Sequence, residues 1–237
     1  MDPLAFKYNS LSPYNYVANN PLLYIDPDGR EIKIHREKSN DGKVTIVITI
    51  TGKLLNDSST KYTQEQLDAY AERITNSLTS AFTNSGDNVS FESKVNISVA
   101  NSNEDISKSD HVFRIVDQGK IPDGKGNFRP KGVLGRAKGG ENFIYLSNHF
   151  LDRKEDLKGT YKNTGKTSNG QGTLERTSAH EMGHSTGLPH PALNTQDGNL
   201  MHQTKQRNTG KKLTQSQILR IEKLYKAKKL NRGKQKY

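Results

Sequence analysis

The 237-residue sequence contains no cysteine and no tryptophan, and only three methionines. Without cysteine there can be no disulfide, no thiolate-ligated metal and no thiol nucleophile. Apolar residues are scarce as well, at 31% with a mean hydropathy of −0.87, so part of the chain is expected to be extended surface or loop. No segment approaches the run of about 20 apolar residues that a membrane-spanning helix needs. The start, Met1-Asp2-Pro3-Leu4-Ala5, lacks the basic residues and apolar run of a secretory signal, so export is expected to depend on another device. The length suits one domain, or one domain with an appendage, and is sufficient for a sizeable core.

Charge is present in excess of one sign, and unevenly. The formal net charge is +11; Lys205 to Tyr237 holds 12 Lys and Arg against the single Glu222, while the residues before it hold 24 of each sign. A basic tail of this kind suits nucleic acid or an anionic membrane face, or else a solvated helix face with a frayed end. No aromatic residues interleave with the charges as stacking on bases would require, so no nucleic-acid partner is expected.

The most informative stretch is His180-Glu181-Met182-Gly183-His184-Ser185-Thr186-Gly187-Leu188-Pro189-His190, which reads HExxHxxGxxH. Four residues apart on an α-helix, His180 and His184 are rotated by about 40° from one another, so both rings can reach one metal ion. Glu181 is offset by one residue and can stand beside the metal without ligating it, within reach of water there. A third ligand requires the helix to stop. Gly187 accepts the left-handed conformation that ends a helix, and Pro189 bars its resumption, which brings His190 round to the metal from a loop. Three neutral imidazoles with an open fourth position are the pattern of catalytic zinc rather than of a closed structural site. Chance would give the full string only on the order of 10⁻⁵ times per chain of this length.

This stretch resembles the zinc signature of the metzincin metallopeptidases, and most closely the matrixin-like members, over roughly Lys43 to Leu230. The resemblance implies one catalytic Zn²⁺ held by His180, His184 and His190, with Glu181 as general base and Met201 in a tight turn beneath the metal, read from Gly198-Asn199-Leu200-Met201. It implies an α+β zincin-like fold: a twisted, mixed and mostly parallel sheet, two long helices, and a small C-terminal subdomain with the methionine turn and a final helix. Gly132-Val133-Leu134-Gly135-Arg136-Ala137 resembles the metzincin edge strand that runs against its neighbours and borders the cleft, so Val133, Leu134, Gly135 and Arg136 are the candidate substrate strand. The partner implied is a protein or peptide substrate. The absence of cysteine removes the latch by which some metzincin pro-segments block zinc. Pro191 after the third histidine and His202-Gln203 after the methionine depart from the residues that several subfamilies carry, leaving the subfamily and any auxiliary oxyanion donor open.

Residues 1–30 differ in character from the rest, being rich in Tyr, Asn and Pro and patterned as turns. Ser12-Pro13-Tyr14-Asn15-Tyr16-Val17-Ala18-Asn19-Asn20-Pro21 and Tyr24-Ile25-Asp26-Pro27-Asp28-Gly29 resemble the end of the RHS-repeat-associated core of large shell-forming proteins. That resemblance implies that the chain beyond Arg30 is a variable C-terminal module, commonly a toxin, with an RHS carrier shell, delivery into a target cell by a specialised secretion system, and a cognate immunity protein. The domain plan is therefore 1–30, the peptidase at 31–230, and a basic tail at 231–237. A zinc-containing binding module without turnover is the alternative.

In the peptidase segment, Glu31 to Arg36 and Lys43 to Thr51 read as strands about a turn. Thr63 with Gln66 forms a capping box opening a helix whose apolar face runs through Leu67, Ala71, Ile74, Leu78 and Phe82 to a stop near Gly86. Further strands are expected at Val89 to Phe91 with Val95 to Val99, at His111 to Val116 and at Phe143 to Leu146. The polar loop Lys158 to Gly172, either a flap or slack, leads into the zinc helix from about Thr173. Thr214 and Gln217 repeat the capping box for the last helix. Asp110, Asp117 and Asp123 lack the spacing of a calcium loop, and His35, His111, His149 and His202 are expected to be structural or surface groups, with His202 adjoining the methionine.

Overall fold

A computed structural model describes residues 32–86, 89–107, 110–152, 172–192, 198–202 and 210–232. The RHS-like segment 1–30, the interior of the polar loop and the end of the basic tail lie outside the described residues.

A long strand is the spine of the fold. After β1 (Ile32–Lys38), β2 runs from Val44 to Asn56, five residues beyond the alternating pattern that ended at Thr51. It continues because Leu54 and Leu55 are both buried and because a new neighbour takes over its edge. Residues 44–50 of β2 pair antiparallel with β1, whereas residues 52–56 pair parallel with β4 (His111–Val116), so one edge of β2 is shared between two strands. Gly52 stands at the changeover, where a Cβ would lie 2.5 Å from the His111 carbonyl oxygen. The opposite edge pairs from Val44 to Leu55 with β3 (Val89–Ala100), a single parallel strand where two short ones were expected.

Beyond β4 lie β6 (Phe143–Ser147), parallel to it, and then β5 (Gly135–Ala137), antiparallel to β6 and last in the order. The sheet is thus mixed and mostly parallel, with the antiparallel outer strand of a zincin-like α+β fold. Helix α1 (Gln64–Phe82) starts at the capping box of Thr63 and Gln66 and ends at Thr83, before the expected stop at Gly86, because Asn84 bridges to Phe91. Helix α2 spans Leu174–Ser185 with Thr173 as N-cap, and α3 spans Gln215–Lys226 with the capping box of Thr214 and Gln217.

Alternate residues of the strands face two apolar clusters, as the period of two requires. Ile46, Ile48, Ile50, Leu54, Phe113 and Ile144 join Ile74, Leu78 and Phe82 of α1 and Met182 of α2 in the main core. Leu55, Val112 and Ala100 join Ile106 in a smaller one. Buried apolar area at about 25 cal/mol per Å² makes the first cluster the principal source of cohesion, and α2 is embedded in it. The C-terminal end is tied back: Asn231 donates to the Ile32 carbonyl at 3.0 Å and Arg232 N–H to the Gly140 carbonyl at 2.8 Å.

Candidate metal centre

Helix α2 is buried on nearly every face, including His180 and Glu181. His180 and His184 are separated by one turn, and the helix ends at Ser185. Gly187 then adopts φ +82°, the left-handed turn anticipated from the sequence, and its N–H donates to the His184 carbonyl at 2.8 Å. The chain reverses and presents His190. Nε2 of His190 lies 3.2 Å from Nε2 of His180 and 2.9 Å from Nε2 of His184.

The protons of the first two rings are fixed by their other nitrogens. Nδ1 of His180 faces the Leu200 carbonyl at 2.8 Å and Nδ1 of His184 the Leu188 carbonyl at 2.8 Å. A carbonyl only accepts, so each Nδ1 carries the hydrogen and donates, leaving each Nε2 with a bare lone pair. Burial holds the rings neutral, pushing His180 down to about 3 and lowering His184 and His190. His190 can bridge at most one of the two lone pairs aimed at it. Three convergent acceptors of this kind are stable around a cation, and tetrahedral zinc with Zn–N of 2.0–2.1 Å sets N···N separations of about 3.4 Å. The donor set fits zinc, and among the described residues it is the only cluster of three or more potential metal ligands.

Glu181 points to the edge strand. A Cβ at Gly135 would lie 2.8 Å from Glu181 Cγ and 2.9 Å from Thr177 Cγ2, so only glycine lets β5 lie this close to α2. Burial pushes Glu181 up to about 8, opposed by the Ala137 N–H that hydrogen-bonds it and by the charges of Arg136 and Arg176. Of the expected substrate strand, Gly135 and Arg136 are in β5, while Val133 and Leu134 precede it; the Leu134 carbonyl still accepts from Ser147 N–H at 2.8 Å. The Arg136 side chain donates to the Pro122 carbonyl at 2.7 Å, which holds the loop before the strand. Ala137, the last residue of the expected edge-strand stretch, completes β5 but was not among the candidate substrate residues.

Met201 is fully buried and packs against Gly183, the residue of α2 just before His184. Its turn is stapled by Asn199, whose Oδ1 accepts from Met201 N–H at 2.8 Å and from Gln217 Nε2 at 3.2 Å. Arg176 was also not anticipated: it reads in the sequence as a polar position of the helix, but it is 4% exposed and donates to the Leu200 and His202 carbonyls. Polarity alone gave no signal of this.

The other histidines lie apart from the triad's nitrogens. His35 pairs with Glu37, His111 with Ser185, and His149 with Ser147, while His202 is buried beside Met201. Asp117 accepts from Ser59 N–H and Oγ, Asp123 from Lys125 and Asn127 N–H, and Asp110 from Ser107 N–H, as solvated turns do.

A model of the matrixin family matches residues 50–226, which include the whole triad, Glu181 and Met201. No curated protein matches the chain.

Proposed function

Since the chain belongs to the matrixin family and is a zinc metalloendopeptidase, we propose that Glu181 is its general base and that β5 holds the substrate main chain. The observation that carries this reading is the convergence of the Nε2 atoms of His180, His184 and His190 on a helix that also carries the buried Glu181 carboxylate at the sheet edge. Zinc, when bound, supplies a Lewis acid for a peptide carbonyl and acidifies water. Glu181 accepts the proton of the attacking water and returns it to the leaving amine. Ala137 N–H and the Arg136 charge orient the carboxylate and favour its ionised form. β5 closes the strand order, so an extended peptide can add to its outer edge and be held by its backbone, with Gly135 next to the base.

The chain is further proposed to be a toxin module of an RHS-type carrier, freed near Arg30, delivered into a target cell and countered in the producer by an immunity protein. The pattern from Ser12 to Gly29 supports this, and a shell around the module would supply the latency that no cysteine can.

The test combines metal content and proteolysis of a denatured protein substrate. Wild type is expected to hold one zinc per chain and to lose cleavage to a chelator; Glu181→Gln keeps the zinc and loses most turnover; His180→Ala loses both. Retained cleavage by Glu181→Gln would refute the base assignment. Zinc without cleavage of any substrate would favour the binding-module alternative. For the toxin role, cells producing the wild-type domain lose viability and cells producing Glu181→Gln do not; equal viability counts against it.

A further inference from the structure

Arg176 lies one turn before His180 on α2, so the two side chains share a helix face. It is 4% exposed, and its Nη2 donates to the Leu200 carbonyl at 3.0 Å and to the His202 carbonyl at 2.7 Å. The Leu200 carbonyl is the same oxygen that accepts from His180 Nδ1 at 2.8 Å. One oxygen therefore receives both the guanidinium and the ring N–H of a metal ligand. The two carbonyls that Arg176 grips flank Met201. Arg176 has no carboxylate in direct ion-pair contact among the described residues, feeling only the more distant charge of Glu181, and its Nε has no hydrogen-bond partner. Burying a guanidinium so incompletely satisfied is costly, and an apolar side chain of similar size at such a site is often at least as stable. The group is thus poorly explained by stability.

We propose that Arg176 is a positioning residue of the metal site: by fixing the Leu200 and His202 carbonyls it keeps Leu200 O aligned on His180 Nδ1–H and so holds the His180 ring with Nε2 toward the triad. Outer partners of this kind set both the tautomer and the aim of a ligating imidazole. The fork geometry matters, because one nitrogen must reach two carbonyls that belong to the same turn but point from either side of Met201. The inference rests on the triad holding zinc.

The experiment uses the purified full chain with wild type, Arg176→Met and Arg176→Lys. Zinc affinity is read by competition with a chromophoric chelator, ligand geometry by the visible absorption of the cobalt-substituted protein, and stability by urea unfolding of the zinc-free forms. Arg176→Met is expected to unfold at a midpoint equal to or above that of wild type, to bind zinc about 10–100-fold more weakly, and to show an altered cobalt spectrum. Arg176→Lys recovers part of the affinity. The proposal is overturned if Arg176→Met binds zinc within about twofold of wild type with the same cobalt spectrum, or if the loss of affinity only accompanies a loss of zinc-free stability. It is equally overturned if neither variant folds, because the guanidinium would then be a stability element. Failure of wild type to bind zinc would instead refute the metal assignment itself, which separates the two readings.

Discussion

Gly183 lies between His180 and His184 on α2, and replacing it with alanine probes the packing of that helix against Met201. In an ordinary helix interior this change gains about 1 kcal/mol. Here the new methyl would clash with Met201 Sδ and stand 3.1 Å from its Cε and 3.8 Å from Leu188 Cδ1. The sulfur must withdraw by more than about 1 Å to reach ordinary contact. Met201 is fully buried and its N–H is held by Asn199, so it cannot swing into solvent. Overpacking of this depth costs about 1–3 kcal/mol, and the upper half of that range exceeds the helical gain. Gly183→Ala is therefore expected to destabilise by about 1–2 kcal/mol. Met201→Ala alone should cost about 2–5 kcal/mol through the cavity it leaves. In that background the methyl at 183 keeps only its ordinary contact with Leu188, and Gly183→Ala should become stabilising by about 1 kcal/mol. The coupling in the double-mutant cycle is then about 2–3 kcal/mol. Urea unfolding at one fixed free zinc concentration measures all four corners, with unchanged slopes licensing the comparison. If Gly183→Ala has the same effect in both backgrounds to within about 0.5 kcal/mol, the contact between helix and methionine is not what requires glycine.

Gly187→Ala should be destabilising for two separate reasons: φ of +82° is unfavourable for a residue with a Cβ, and that atom would come 2.8 Å from Leu224 Cδ1. A loss of about 1–2 kcal/mol from the backbone alone is expected by thermal or urea unfolding, with zinc affinity falling in parallel because His190 is displaced. Glu222 is 4% exposed and receives both Arg36 nitrogens, at 2.6 and 2.7 Å, as well as Lys226; the Arg36 hydrogen bonds come first in pulling it from an ordinary 4.5 to about 2. Since the folded value is the lower one, this stabilisation is complete above about pH 4.5 and is lost as pH falls toward 2. The unfolding midpoint of Glu222→Gln should accordingly be lower than that of wild type at pH 6 and approach it near pH 2; a constant gap across that range would contradict the assignment.

The metal centre was legible because its chemistry is local. His180, His184, Gly187 and His190 fall within eleven residues, and helical spacing with one left-handed turn is enough to bring their nitrogens together. The starts of α1 and α3 were legible for the same reason, since Thr63 and Thr214 each form a capping box with a residue three positions on; Thr173, where the zinc helix was expected to begin, also caps, accepting from Arg176 N–H. What could not be read depends on distant chain. β2 outruns its own alternation because β4 receives residues 52–56, and the break between Phe91 and Val95 vanishes because β2 pairs with all of β3. The edge strand starts at Gly135, two residues after Val133, because β6 ends at Ser147, whose N–H still reaches the Leu134 carbonyl. Arg176 was missed because its partners, the Leu200 and His202 carbonyls, lie 24 and 26 residues away and belong to a backbone whose turn has no pattern beyond a methionine.

The divided edge of β2 bears on where the chain can be cut. The matrixin match begins at residue 50, so β1 and the first half of β2 precede the part shared with the family. β1 covers the edge of residues 44–50, a row whose Ile46, Ile48 and Ile50 are buried and whose backbone groups would otherwise be open to any other chain. A protease that trimmed past Ile32, itself fully buried, would release a domain with its metal centre intact and a sticky β edge along its flank. The release proposed near Arg30 falls on the N-terminal side of β1 and spares the hairpin. Its two strands then serve as a sealed hem, so that a freed domain would not adhere to its fellows.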